Sequence, residues 1–321
     1  MKRKCVILDD YQDAALRMAD WTPLADRLDV VVLRRHIADE DELVRALYDA
    51  EIAVIMRERT PFREGLLRKL PNLKLLVTTG MRNASIDLAA AESLGVTVCG
   101  TRGHPEPPAE LTWALILGVL RHVAAESVAM RSGGPWQSTI GGDLAGKRLG
   151  VVGLGKIGTR VARVGQAFGM DVVAWSQNLT EERAAAEGVR KAESFHALLA
   201  ESDVVSIHLV LSERTRGLIG AEELRRMRPS ACLVNTSRAG IVDQRALETA
   251  LREGWIAGAG LDVFETEPLP ADHPFRTLPN VLALPHLGYV TEGNYRTFYR
   301  DAVEDIEAYL AGEPIRRLPG R

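Results

Sequence analysis

Short, uninterrupted apolar runs alternate with stretches of helical spacing along nearly all of the chain. Residues 5–8, 30–33, 53–56, 73–77 and 96–99 are apolar at successive positions, a pattern that predicts strands covered on both faces. Residues 41–50, 63–69 and 87–93 lie between them and read as helices. A second series begins near Arg148, with candidate strands at 149–152, 172–175, 204–208, 231–235, 257–262 and 281–284. Strands alternating with helices predict parallel sheets, and six parallel strands fit two mononucleotide-binding halves. Between the series stands His104-Pro105-Glu106-Pro107-Pro108, which cannot continue a helix or a central strand and reads as a hinge. Residues 109–123 follow, apolar almost all round, and read as a buried helix. In the last stretch, 291–310, Tyr295, Phe298, Tyr299, Ala302, Ile306 and Tyr309 share one helix face that packs back on the first domain. The expectation is an α/β chain of two doubly wound parallel-sheet domains with a cleft between them. One is discontinuous (1–104 with 289–321) and the other runs over 105–288.

Composition narrows the function classes. The 321 residues are 46% hydrophobic and 26% charged, with a net charge of −3, so a disordered chain is excluded and a basic nucleic-acid footprint is absent. The apolar run 114–120 falls far short of the roughly 20 residues of a membrane span. The apolar stretch after the basic start at 2–4 is too short for a signal peptide. A cytoplasmic protein with neither nucleic acid nor membrane as partner is expected. Cys5, Cys99 and Cys232 lie far apart with no CxxC pairing, so no metal site or disulfide framework is predicted; Cys5 and Cys99 read as small buried hydrophobes.

The strand at 149–152 runs into Gly153-Leu154-Gly155-Lys156-Ile157-Gly158, a GxGxxG that opens a helix. The first glycine permits the turn, the second lets a pyrophosphate approach the backbone, and the third lets helix and strand pack closely. The helix N-terminus offers N–H groups and partial positive charge to phosphates. The next strand ends Trp175-Ser176-Gln177-Asn178. Ser176 stands where an acid would bind the ribose hydroxyls of NAD, and no Arg is adjacent to meet the 2′-phosphate of NADP. The cofactor is read as NAD or NADP, with a lean to NAD.

Three later stretches fall at strand ends, which line the ligand crevice of a doubly wound sheet. They are Asn235-Thr236-Ser237-Arg238-Ala239-Gly240, the run from Gly258 to Pro268 that contains Asp262 and Glu267, and Leu284-Pro285-His286-Leu287-Gly288. Arg offers a planar fork to a carboxylate. His passes protons near neutral pH, and a neighbouring Glu favours its charged form. Anion anchor, acid/base and nicotinamide together point to interconversion of a 2-hydroxy acid and a 2-oxo acid.

With these blocks the chain resembles the D-isomer-specific 2-hydroxyacid dehydrogenases, the family of phosphoglycerate, glyoxylate and hydroxypyruvate reductases. The resemblance spans nearly the whole chain and is strongest from Pro107 to Gly288. It implies a Rossmann-type cofactor domain beside a flavodoxin-like substrate domain. It implies Arg238 as substrate anchor, His286 as acid/base and Glu267 as its partner. Asp262 then lies near the nicotinamide end, with Thr236 and Ser237 also facing the cofactor. It further implies that Thr79-Gly80-Met81-Arg82 offers backbone N–H groups to the substrate carboxylate. Tyr11, Arg57 and Tyr289 are further candidates for the substrate pocket. A homodimer is implied as well, with Trp113, Leu117, Leu120 and Trp136 as candidate contacts. A different class remains open at this stage: a catalytically silent, dinucleotide-sensing binding protein or corepressor on the same fold.

Overall fold

The computed structural model describes residues 2–320, which divide into two compact units. The first comprises Met1–His104 with Thr291–Arg321, and the second Pro105–Val290. The first unit holds five parallel strands: β1 (Arg3–Ile7), β2 (Leu28–Val32), β3 (Ile52–Ile55), β4 (Leu75–Thr78) and β5 (Thr97–Gly100). Their order is β2-β1-β3-β4-β5, the flavodoxin-like arrangement. The chain changes direction across the sheet between β1 and β3, and Asp9 and Arg57 follow those two strands with left-handed backbones (φ 55° and 52°). The helix Glu292–Leu310 belongs to this unit and packs on β4 and on the helix Ala15–Met18. Tyr295, Phe298, Tyr299, Ala302 and Ile306 are buried on it, as the spacing predicts, while Tyr309 is half-buried.

The second unit holds seven parallel strands: β6 (Arg148–Val152), β7 (Asp171–Trp175), β8 (Arg190–Lys191), β9 (Val204–Ile207), β10 (Cys232–Asn235), β11 (Gly258–Leu261) and β12 (Val281–Ala283). Their order is β12-β11-β10-β9-β6-β7-β8. Alternate residues of the central strands feed two cores. Leu149, Val151, Val204 and Val234 face one side, and Val152, Val205, Ile207 and Leu233 the other. Both faces are covered, so these strands read as continuous apolar runs rather than alternating ones. Three free cysteines are buried, and burial pushes their thiols up to about 12 (Cys5), about 12 (Cys99) and about 11 (Cys232).

Two elements differ from the sequence expectation. Seven strands form where six are predicted, because β8 is a two-residue polar edge with no hydrophobic signature. The buried helix starts at Glu106 and not at residue 109, and it ends at Leu120. Pro107 and Pro108 sit in its first turn, where a missing N–H breaks no helical bond. His122 (φ 51°) then turns the chain into a second helix, Val123–Arg131. Among the described residues, no single helix is long and apolar enough to cross a membrane.

Candidate active site

The glycine turn lies at the carboxyl end of β6, the strand that stands between β7 and β9 where the order of the sheet switches direction. Gly153 has φ 104°, its N–H donates to the Trp175 carbonyl (2.8 Å), and a Cβ there would meet the His208 carbonyl carbon at 2.8 Å. A Cβ on Gly158 would stand 2.0 Å from the Gly153 oxygen. At Gly155 the space is open, with nothing within 4 Å of such a Cβ. Gly155 also caps the helix Lys156–Ala167 without any side-chain bond, so no capping side chain engages the first-turn N–H groups. Lys156 is exposed and Ile157 half-buried at this helix start. A tight turn, an open approach and an uncapped helix start fit a dinucleotide pyrophosphate.

Around the turn, Ser176 follows β7 and is half-buried. Arg183, on the helix Glu181–Ala186, donates from Nη2 to the Leu154 carbonyl (3.3 Å). Sequence reading passes over Arg183 because it stands seven residues beyond Ser176 and only the helix brings it back. His208 is likewise missed. Its Nε2 meets Ser206 Oγ at 2.8 Å, and burial pushes the imidazole down to about 3, keeping it neutral.

The segment after β10 is locked from several sides. Ser237 N–H donates to Asn235 Oδ1 (3.0 Å), Asn235 Nδ2 donates to the Arg238 carbonyl (3.1 Å), and the Ser237 hydroxyl donates to the Leu209 carbonyl. Thr236 Oγ1 bonds Thr112 Oγ1 on the buried helix (2.7 Å). Arg238 Nη1 donates to the Ser237 carbonyl (2.7 Å) and its side chain is half-buried.

Asp262, Glu267 and His286 converge. His286 Nδ1 lies 2.7 Å from Glu267 Oε2, while Glu267 Oε1 accepts from Phe264 N–H (2.9 Å). Nε2 is therefore the ring nitrogen left for chemistry. The Tyr289 ring stands edge-on to the imidazole at 5.4 Å. His286 has a left-handed backbone (φ 54°), a costly conformation for a non-glycine residue. Asp262 holds that turn: its two carboxylate oxygens accept from Leu287 N–H (2.7 Å) and Gly288 N–H (2.8 Å). Asp262 is fully buried, and burial pushes its carboxyl up to about 6 against the pull of those two bonds and of His286.

In the first unit, Thr79 N–H donates to the Ile55 carbonyl (3.0 Å) and Gly80 N–H to Thr101 Oγ1 (2.9 Å). The Arg57 guanidinium occupies the place of a Gly80 Cβ (1.7 Å from Nη1) and donates to the Thr79 carbonyl (3.2 Å). Met81 and Arg82 are exposed. Among the described residues no group of His, Cys, Asp and Glu is arranged to hold a metal ion.

A Rossmann-type sheet with this strand order, and a glycine turn at its switch point, define an NAD-binding oxidoreductase. Residues 113–288 match the D-isomer specific 2-hydroxyacid dehydrogenase, NAD binding domain, and the chain belongs to that family. It is 41% identical to the glyoxylate reductase of Aeropyrum pernix over 80% of this chain and 79% of that protein. It is 35% identical to the D-3-phosphoglycerate dehydrogenase of Bacillus subtilis over 91% of this chain but only 55% of that longer protein. The solved phosphoglycerate oxidoreductase of Vibrio cholerae superposes with a TM-score of 0.92 at 37% identity, covering 97% of this chain and 100% of the other.

Proposed function

We propose that the protein reduces a small 2-oxo acid to its D-2-hydroxy acid, and catalyses the reverse, with NAD(P) as hydride carrier. The observation that carries this reading is the His286–Glu267 pair, 2.7 Å apart on a turn clamped by Asp262. Arg238 binds the substrate carboxylate through its guanidinium fork. Protonated His286 donates from Nε2 to the carbonyl oxygen, and takes the proton back in the oxidative direction. Glu267 fixes the ring orientation and offsets the imidazolium charge. The glycine turn and the start of the helix Lys156–Ala167 hold the pyrophosphate, with Ser176, Thr236 and Ser237 around the rest of the cofactor. When bound, the nicotinamide supplies or accepts the hydride. In the first unit, the Thr79 and Gly80 amides are spent inside the fold. Met81 and Arg82, further along that loop, are exposed.

A panel of 2-oxo acids, headed by glyoxylate and offered with NADH and NADPH in parallel, tests the reading. Wild type consumes reduced cofactor with at least one acid. His286→Ala loses on the order of 10²–10⁴ in turnover while still binding cofactor. A wild type inert across the panel, yet able to bind dinucleotide, would favour the binding-protein reading instead.

We also propose that the protein is a homodimer. The helix Val123–Arg131 has no buried residue, and Val128, Met130, Trp136 and Ile140 are 66%, 69%, 78% and 96% exposed. An apolar run of this kind on a surface marks an association site, and a symmetric pair is the commonest closed solution. Trp113 is not part of it: it is buried, and its Nε1 donates to the Val161 carbonyl (3.2 Å). Leu117 and Leu120 are half-buried. Light scattering on Trp136→Asp, expected to give a monomer, tests the assignment.

A further inference from the structure

The sequence lean towards NAD rests on the lack of a cation beside Ser176, and the folded chain brings one, Arg183, back to the glycine turn. Gly153 N–H bonds the Trp175 carbonyl (2.8 Å), so Ser176 begins directly against the glycine turn. One residue further along that turn, the Leu154 carbonyl receives Arg183 Nη2 at 3.3 Å. Packing fixes the reach of this arginine. Its neighbour Ala184 is fully buried in the same core as Leu154 and Leu179, and Thr180 caps the helix by accepting from Arg183 N–H (3.2 Å).

Arg183 stands out among the local charges because its acidic neighbours are occupied elsewhere. Glu187 pairs with Arg163 (2.8 Å) and Glu181 with Lys191 (3.4 Å). Glu182 turns to its own backbone and to Thr180, which hold its carboxyl below the usual range. The guanidinium has five N–H donors and spends one of them on the loop carbonyl. A cation anchored at the glycine turn, its remaining donors given no partner among the described residues, is suited to an anion bound beside Ser176. The ribose 2′-position is where the two nicotinamide dinucleotides differ. At that position a carboxylate repels a 2′-phosphate, whereas a serine hydroxyl donates to it.

We propose that Arg183, with Ser176, binds the 2′-phosphate of NADP(H) and makes this chain favour NADP(H) over NAD(H). The proposal rests on the dinucleotide reading given above and adds to it the identity of the phosphorylated form. Lys156, at the first position of the helix that follows the turn, adds positive charge to the same loop.

Equilibrium binding tests this without any turnover. Calorimetric titration of NADP⁺, NAD⁺, adenosine 2′,5′-bisphosphate and ADP is carried out on wild type, Arg183→Gln, Arg183→Lys and Ser176→Asp. Wild type is expected to bind NADP⁺ more tightly than NAD⁺, and the bisphosphate more tightly than ADP. Arg183→Gln should weaken NADP⁺ and the bisphosphate by roughly tenfold or more, the usual worth of a hydrogen bond to a charged group. NAD⁺ and ADP should move less than threefold, and Arg183→Lys should recover part of the loss. Ser176→Asp should reverse the preference. Equal weakening of both dinucleotides in Arg183→Gln, or no weakening of either, overturns the proposal. So does a wild type that binds NAD⁺ more tightly, which leaves the dinucleotide reading standing. A wild type that binds neither dinucleotide overturns that reading and the proposal with it.

Discussion

Asp262 bears a burden that stability does not explain. Its carboxyl is pushed up to about 6, above the 3.9 of an unfolded aspartate, so the folded chain holds a proton there more readily than the unfolded one. The protonated form favours folding, and that advantage is lost as pH rises through about 6. Ionised Asp262 therefore weighs against the fold by about 3 kcal/mol at neutral pH. What the anion provides is a pair of acceptors for Leu287 and Gly288 N–H, and through them the left-handed turn at His286. Asp262→Asn keeps the shape but offers one acceptor for two donors. We expect its melting temperature at pH 7.5 to equal or exceed that of wild type, while kcat for reduction falls about tenfold or more as the imidazole loses its aim. Low pH keeps an imidazole charged, so a wild-type loss of reduction below about pH 6 reports Asp262 and should vanish in the variant. A large drop in melting temperature, or a persisting acid limb, would argue that Asp262 is structural. Asp262 is legible in the sequence as a strand-closing acid; its bonds to the two backbone N–H groups that follow His286 are not, since they depend on the path of a loop some 25 residues away.

Among the elements, those buried on two faces were the readable ones. β6, β9 and β10 are apolar at nearly every position because both cores take residues from them. β8 escaped because its two polar residues at the sheet edge carry no pattern. The sequence pattern starts the buried helix three residues late because its prolines read as breakers, although a first turn tolerates them. Arg183 escaped for a related reason: a helix, not sequence adjacency, returns it to the turn. The turn itself separates two kinds of glycine. Gly158→Ala drives a Cβ into the Gly153 carbonyl, so it should destabilise by about 1–3 kcal/mol and weaken cofactor binding together. A Cβ at Gly155 has no protein atom within 4 Å, so for Gly155→Val thermal melting should stay within a degree or two while dinucleotide binding disappears in a titration. If both variants lose stability alike, the open space at Gly155 does not serve a ligand.

For the molecule as a whole, the parallel α/β alternation was readable from one end of the chain to the other, and so was the apolar face of the last helix. Its polar side was not. Asp301 and Asp305 are fully buried on the helix Glu292–Leu310 and answer to arginines at distant positions. Asp301 accepts from Arg102 (2.8 and 2.9 Å), and Asp305 accepts from Arg316 Nε (3.0 Å). Burial alone would raise the Asp301 carboxyl, yet the Arg102 bonds hold it at about 2. A depressed carboxyl contributes stability above pH 3.9 and loses it as pH falls towards 2, about 2–3 kcal/mol in all. Asp301→Asn should therefore melt earlier than wild type at pH 7, and the gap should narrow steadily at pH 3 and below. A gap independent of pH would count against the ion pair as its cause.

The same helix gives the chain a timetable. A ribosome extends a chain at roughly 5–20 residues per second, so β5 emerges on the order of ten to forty seconds before Tyr299 does. Throughout that interval the first sheet lacks the aromatic ridge of Tyr295, Phe298 and Tyr299, while the second unit, continuous in sequence, is synthesised in full. The second unit is therefore positioned to fold first, and the nascent first sheet, its apolar strands formed but its last helix not yet made, is the species a chaperone would meet.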